Sequence, residues 1–526
     1  MGSILLTENT NQFCNNWLSV SLVFNTIAYM FIKKLGAKWL AAYQHKKTAN
    51  LHASAVQSQQ QLFQQLIKIG ATTAFGKDHD FDKIKTVSDY QKAVQAADYE
   101  AIRPYINRVI DGERNVLWQG LPKYFNKTSG TTSGSKFIPM TKESLPHSIN
   151  AARNALLANV HENGNADWVN GKMIFLSGSP ELDTKGAVPS GRMSGIVNHH
   201  VPGYLRTNQL PKYQTNCIED WEEKVEQIVD ETIGQNMTLI SGIPPWMQMY
   251  FDRLLEKSGK ATIKELFPNL QLVVHGGVNF KPYRAKMVAT IGKGVQYIET
   301  YPASEGFMAY QNSQKEEGLL LNLDAGIFYE FIPADEVFND HPTRLTLADV
   351  ELGVNYAIVL TTNAGLWSYL IGDTVKFVNL NPHKIVVTGR TKHFISAFGE
   401  HVIGEEVDKA LVHACQSTNA IVNEYTVAPQ VKPAEGLPYH EWLIDFDKAP
   451  NNKAAFAQSI DAHLQQQNSY YKDLRDGNML RQCVVTPVAI KAFDRYMESI
   501  GKLGGQNKLP RLSNNRKIAD AISKID

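Results

Sequence analysis

The sequence predicts an α/β protein: a large N-terminal domain of β-sheets flanked by helices, with a β-barrel-like part, followed by a small α+β C-terminal domain. Three observations predict this. The chain has 526 residues, and a single core rarely grows past ~250–300 residues. From about residue 115 onward, short β-like runs alternate with helical patterns, the signature of an α/β class. Beyond Gly389–Lys392 the chain starts a helix and strand order of its own. The expected domains are therefore residues 1–390 and 391–526.

Taken in order, the first element is an apolar run. Trp17 to Ile32 is apolar apart from Ser19, Ser21, Asn25 and Thr26, shorter than the ~20 residues a bilayer span needs. Lys33 and Lys34 follow it, whereas a signal peptide carries its basic residues ahead of the apolar stretch. The expectation is a buried N-terminal helix, with a peripheral membrane contact as the alternative, no integral membrane span and a cytoplasmic protein. Residues 38–100 read as helical, with the Gln-rich stretch Gln57–Gln65 as a solvated face. Strands are expected at Met173–Leu176, Leu270–Val274, Val295–Ile298, Leu319–Leu323, Phe328–Phe331, Tyr356–Leu360 and Ile385–Val387. Between them Trp221, Val225, Ile228, Val229 and Ile233 recur at helical spacing. The close strand pairs from Leu319 to Val387 predict antiparallel or barrel-like structure. The C-terminal part reads as helix Val402–Cys415, strands Asn423–Val427 and Trp442–Phe446, helix Ala454–Gln466, strand Cys483–Pro487 and helix Phe493–Ser499.

Composition narrows the function. The hydrophobic fraction is 43% and the charged fraction 20%, ordinary globular values that argue against disorder. A net charge of +1 supplies no field for nucleic acid, so small-molecule partners are expected. Cys14, Cys217, Cys415 and Cys483 are widely spaced, which suits a reducing compartment and argues against a zinc site or a disulfide framework.

The most informative segment runs from Phe125 to Thr141. It gathers Thr128, Ser129, Thr131, Thr132, Ser133 and Ser135 around Gly130 and Gly134, with Lys136 beside them. Glycines allow close backbone approach, and hydroxyl and N–H groups donate to phosphate oxygens. The spacing is not that of a Walker A loop, and Pro139 biases its predecessor to an extended shape. The loop is therefore expected to join two strands.

This segment resembles the phosphate loop of the adenylate-forming enzymes. More narrowly, the chain resembles the auxin-responsive promoter family of acyl-acid-amido synthetases, particularly its bacterial members. The likeness is carried in order by Tyr124–Thr141, Ser241–Trp246, Leu272–Val278, Glu299–Gly306, Thr361–Trp367, Ile371–Asp373, Gly389–Lys392 and Gly505–Arg511. It implies the fold of adenylate-forming enzymes, with ATP and Mg²⁺ as cofactors and a small carboxylic acid and an amine or amino acid as substrates. Thr128, Ser129, Gly130, Thr131, Thr132 and Ser133 would hold the ATP phosphates. Gly276, Gly277 and Val278 would line the adenine slot, with Thr300, Tyr301 and Pro302 flanking it. Ser304 and Glu305 would sit by the α-phosphate, Glu305 as the Mg²⁺ ligand. Asp373 would accept the ribose hydroxyls and Arg390 would reach ribose or phosphate. Lys392 would be the hinge about which the C-terminal domain swings. Lys508 would be delivered to the α-phosphate during adenylation. Two positions depart from the family: Pro302 follows the tyrosine where a small residue is expected, and Ser368 stands where members carry Arg.

The chemistry implied is activation of a carboxylate as a mixed anhydride with AMP, then attack by a neutral amine. By residue type alone His199, His200 and His275 are candidate bases for that amine, and Trp246, Phe328 and Tyr329 are candidates for either acyl pocket or core. The rival readings are transfer of the same adenylate to coenzyme A, and a nucleotide-binding regulatory protein without catalysis.

Overall fold

The structure, a computed structural model, describes residues 31–128, 136–201, 203–278, 280–391, 394–503 apart from 396, 399 and 401, and 508–525. Its backbone is an eleven-stranded mixed sheet. Seven antiparallel strands run in the order Ile327–Pro333, Asn355–Thr362, Tyr369–Leu380, His383–Arg390, Leu319–Leu321, Gly306–Tyr310 and Gln296–Ala303. The sheet then turns parallel through Leu272–Gly276, Met237–Gly242, Lys172–Phe175 and Gln209–Leu210. Gln296–Ala303 is the strand at which direction changes: antiparallel to Gly306–Tyr310 on one side, parallel to Leu272–Gly276 on the other.

The parallel half is covered on both faces, as such sheets are. Successive residues of a strand point to opposite faces. Val273 and Ile240 join Trp221, Val225, Ile228, Trp246 and Phe251 on one face. Leu272 and Leu239 join Ala151, Ala155 and Leu157 on the other. The helix Trp221–Thr232 forms where its apolar spacing predicts, capped by Asp220, whose carboxylate accepts from Glu223 N at 2.8 Å. The helix Pro244–Ser258 opens on proline and closes at Gly259, left-handed at φ +65°.

A smaller four-stranded sheet holds the phosphate-loop strands. Tyr124–Thr128 and Lys136–Met140 pair antiparallel, Thr128 opposite Lys136, and Val188–Gly191 pairs parallel with the first. The loop thus joins two strands, as the position of Pro139 implies. Toward the C-terminus, strands Ile421–Gln430, Tyr439–Lys448 and Val484–Pro487 form a separate sheet. Helices Gly404–Thr418 and Lys453–Gln467 pack on it around Leu411, Tyr425, Trp442, Phe456 and Ile460.

Two expectations need correction. The Gln57–Gln65 stretch is not uniformly solvated. Gln59 is 4% exposed, donates to Ile327 O at 3.0 Å and accepts from Tyr329 N at 2.9 Å. It thereby pairs with the outer edge of strand Ile327–Pro333. Leu345 completes that edge, exchanging two backbone bonds with Phe331 at 2.9 and 2.8 Å. The N-terminal apolar run lies outside the described residues except for Phe31 and Ile32, and these two are exposed, not buried. They belong to a helix described over residues 31–53. No helix among the described residues is long and apolar enough to cross a membrane. Trp246, Phe328 and Tyr329 are core residues, each at most 4% exposed.

Candidate active site

The site forms at the carboxyl ends of the parallel strands, where the sheet reverses, the usual location for ligands in open α/β sheets. Leu272–Gly276 and Gln296–Ala303 run side by side, Gly276 opposite Thr300. A Cβ on Gly276 would come within 2.4 Å of Thr300 O, and Gly277 adopts φ +83°. Both positions therefore demand glycine. Val278 follows, half-buried. Thr300 Oγ1 donates to His275 O at 3.0 Å, tying the two strand ends together.

The direction-changing strand folds back through a tight hairpin, Ala303 opposite Gly306, which puts Ser304 and Glu305 at the turn. Asn126 in the phosphate-loop strand donates to Ser304 O at 2.7 Å, fixing loop and hairpin together. Pro302 pairs with Phe307 next to a register shift between Phe307 and Ala309. A bulge is where a strand tolerates a residue without an N–H.

Asp373 lies opposite Arg390 in the neighbouring strand pair. Its Oδ1 accepts from Arg390 Nε at 2.8 Å and its Oδ2 from the Tyr301 hydroxyl at 2.7 Å. The carboxylate holds the Arg390 pKa above its usual value. Burial, then Asp373, pushes the Tyr301 hydroxyl far up, so it stays a donor. Glu305 is raised, first by burial and then by Asp373, with Lys136 and Arg390 pulling the other way. Burial, then the nearby Glu305 carboxylate, pushes the Tyr369 hydroxyl up, so it stays protonated.

Lys508 reaches this cluster from the C-terminal part of the chain. Its Nζ sits 3.2 Å from where a Cβ on Gly277 would be. The residue keeps solvent contact, yet the protein around it lowers its pKa by desolvation, against the opposing pull of Asp373. Three residues on, Arg511 anchors the segment. It lies 3.5 Å from Asp408 and 3.7 Å from Glu424, and 4.7 Å from the centre of the Tyr283 ring. Thr426 Oγ1 donates to Pro510 O at 2.9 Å, and Val427 N donates to Arg511 O at 2.9 Å. Tyr283 in turn donates to Glu424 at 2.6 Å.

The structure thus gathers Thr128, Gly276, Gly277, Val278, Thr300, Tyr301, Pro302, Ser304, Glu305, Asp373, Arg390 and Lys508 in one region. Ser129, Gly130, Thr131, Thr132, Ser133 and Lys392 lie outside the described residues. Sequence reasoning missed the Tyr283–Glu424–Arg511 cluster, and no local pattern signals it. It also left Ser368 unexplained. That residue is fully buried with φ +46°, and its Oγ accepts from Arg344 at 2.5 Å. Arg344 also pairs with buried Glu330 at 2.7 Å. The rings of the three histidines have other partners: His199 Nε2 donates to Pro180 O at 2.6 Å, and His200 Nε2 pairs with the Tyr124 hydroxyl at 3.0 Å. His275 stacks on Phe280, ring centres 3.9 Å apart, and burial takes its pKa down to about 3.

The same fold is found in solved structures. A GH3.15 acyl acid amido synthetase in complex with 2,4-DB superposes with TM-score 0.75 at 16% identity, over 92% of this chain and 96% of that one. A 2-hydroxyisobutyryl-CoA ligase in the postadenylation state gives 0.58 at 12% identity, over 89% and 90%. The chain belongs to the GH3 family: residues 44–209 and 194–296 match the GH3 family N-terminal domain, 320–390 the central domain and 405–517 the C-terminal domain. It is 24% identical over 359 residues to the jasmonoyl--L-amino acid synthetase JAR4 of Nicotiana attenuata, across 55% of this chain and 60% of that protein. The chain therefore spans about three-fifths of that relative's length. It is 22% identical over 555 residues to the indole-3-acetic acid-amido synthetase GH3.5 of Arabidopsis thaliana, across 88% and 89%.

Proposed function

We propose that this chain uses ATP to activate a small carboxylic acid as its acyl-adenylate and passes the acyl group to the amine of an amino acid. The observation that carries this reading is the position of Lys508, against Gly277 and beside the Tyr301–Asp373–Arg390 cluster. A cation there meets the charge that builds on the α-phosphate oxygens as the carboxylate attacks and pyrophosphate leaves. Gly276 and Gly277 leave room for the adenine, and Tyr301 and Pro302 flank it. Asp373 takes the ribose hydroxyls, exchanging them for its present partners, and Arg390 stays at hand for phosphate. The hydroxyls from Thr128 to Ser133 cradle the phosphates.

The residues fit Mg²⁺ in its usual role. That ion is held by one or two carboxylates plus phosphate oxygens, and Glu305 offers one beside Ser304. Among the described residues no cluster of three or more ligands forms a closed metal cage. Bound there, Mg²⁺ would neutralise phosphate charge. The division at residues 390/391 separates the unit that binds nucleotide from the unit that carries Lys508, with Lys392 as the pivot.

ATP–pyrophosphate exchange with Mg²⁺ across a panel of arylacetic, benzoic and cyclopentanone acids tests the first half-reaction. Acid-dependent exchange is expected, and Lys508→Ala should lower it by about 10²–10³-fold with ATP binding little changed. Full exchange without Lys508 would overturn the assignment. Product analysis with amino acids against coenzyme A then identifies the acceptor. ATP binding with no exchange on any acid would favour a regulatory protein.

A further inference from the structure

The helix at residues 31–53 has two opposite apolar faces. One is buried: Ala37, Leu40 and Ala41 pack into the cluster of Ala151, Ala155 and Trp168, secured by the ion pairs Lys34–Asp167 and Lys47–Asp324. On the other, Phe31, Ile32, Leu35, Trp39 and Tyr43 are 65, 65, 59, 70 and 58% exposed. At ~100° per residue these five fall within an arc of roughly 120°, turned away from the buried face. Trp39 and Tyr43 stack on each other with ring centres 6.0 Å apart. Isolated exposed apolar residues need no explanation, but a contiguous row of them marks an interaction site.

The charge around this row is equally uneven. Residues 31–53 carry five lysines (Lys33, Lys34, Lys38, Lys46 and Lys47) and no acid. With a net charge of +1 for the whole chain, the remainder carries −4. Lys38 and Lys46 border the apolar row and are exposed. Trp and Tyr beside lysines, on a helix lying along a protein surface, is the pattern of a helix that rests in the interfacial layer of a bilayer.

We propose that this face docks on an anionic lipid surface, with the helix axis parallel to the membrane plane. The rings and aliphatic side chains enter the headgroup layer and the lysines meet lipid phosphates. The charge selects this occupant over a second copy of the chain, since two such faces would bring like charges together. It also selects against the preceding residues 1–30, which hold a single acid, Glu8, to offset the exposed Lys38 and Lys46.

The test is co-sedimentation of the full chain with phosphatidylcholine vesicles, with and without phosphatidylglycerol at about a 7:3 ratio. Binding is expected to the anionic vesicles only and to weaken steeply by about 0.5 M salt. Leu35→Glu/Trp39→Glu and Lys38→Glu/Lys46→Glu should each reduce bound protein by about tenfold or more. Acid-dependent pyrophosphate exchange in solution should be unchanged, because none of these residues belongs to the active site, and this also certifies that the variants fold. A chain lacking residues 1–30 should bind as the full chain does. The proposal is overturned if the full chain ignores anionic vesicles, if the variants bind equally well, or if binding is lost with residues 1–30. A dimer dissolved by Trp39→Glu, with no vesicle binding, would instead identify a second copy as the occupant.

Discussion

Asp373 has both carboxylate oxygens committed, to Tyr301 and to Arg390, so the ribose contact proposed for it requires an exchange of partners. In the proposed reaction two neighbouring ionisable groups set the pH range. The proposed role of Lys508 requires its charge, and desolvation lowers its pKa below the ordinary 10.5. The proposed role of Glu305 requires it ionised, and burial raises it above the ordinary 4.5. A base with a lowered pKa loses its charge earlier as pH rises, and an acid with a raised pKa loses its charge earlier as pH falls. The profile of kcat/KM for ATP in the exchange reaction is therefore expected to be narrowed from both sides. Lys508→Arg should retain partial activity and move the alkaline limb upward, because guanidinium does not titrate there. An alkaline limb that stays in place would detach it from Lys508. That Glu305, Asp373, Arg390 and Lys508 lie in one region was legible in the sequence because each sits in a short motif whose neighbours are informative; the roles proposed for them are what the experiments test. Arg344 was not, because its partners Glu330 and Ser368 lie 14 and 24 positions away and only the fold brings them together.

Among the elements, strands with clean apolar runs were read correctly, and those that break the period were not. Tyr369–Leu380 is the longest strand of the sheet, at 12 residues, yet it contains Gly372, Asp373 and Lys376. Register shifts between Thr374 and Val375 and between Phe377 and Asn379 spoil its two-residue alternation. Met237–Gly242 was missed because a six-residue strand with two hydroxyl side chains and a glycine offers little apolar pattern. The Gln-rich helix misled for the opposite reason, since glutamine reads as a surface residue and Gln59 is a buried backbone partner. Gln59→Ala would leave Ile327 O and Tyr329 N buried without partners, at a cost of about 1–3 kcal/mol for each group left unsatisfied. Urea unfolding should show that loss, and the Tyr329 amide should exchange faster with solvent. A midpoint identical to that of the parent chain would contradict this account.

At the scale of the whole molecule, Lys508 arrives at Gly277 only because the C-terminal unit is held against the large sheet. Tyr283 and Lys286 on the large unit meet Glu424 and Asn423 on the small one, at 2.6 Å each. Tyr283→Phe deletes a hydrogen bond to a buried carboxylate, a contribution of about 1.5–3 kcal/mol. The expected result is a pyrophosphate exchange rate lowered by about tenfold or more, with overall stability little altered and a larger radius of gyration in solution scattering. Unchanged exchange would show that this contact does not govern delivery of the lysine. The separate C-terminal sheet was legible from the helix and strand order read beyond Gly389, whereas its contacts with the large sheet's helices, made by residues more than a hundred positions apart, were not.

The edge strand Ile327–Pro333 carries one further consequence. An open strand at the end of a large sheet offers its free amides to any passing chain, and in this protein Gln59 and Leu345 occupy them. The N-terminal helices therefore act as a guard on solubility as well as a part of the core. A shortened chain beginning after Gly70 would keep Leu345 against Phe331 but leave the border at Ile327 and Tyr329 uncovered. Its loss to aggregates would reflect strand-to-strand recruitment between molecules, even with the nucleotide site intact.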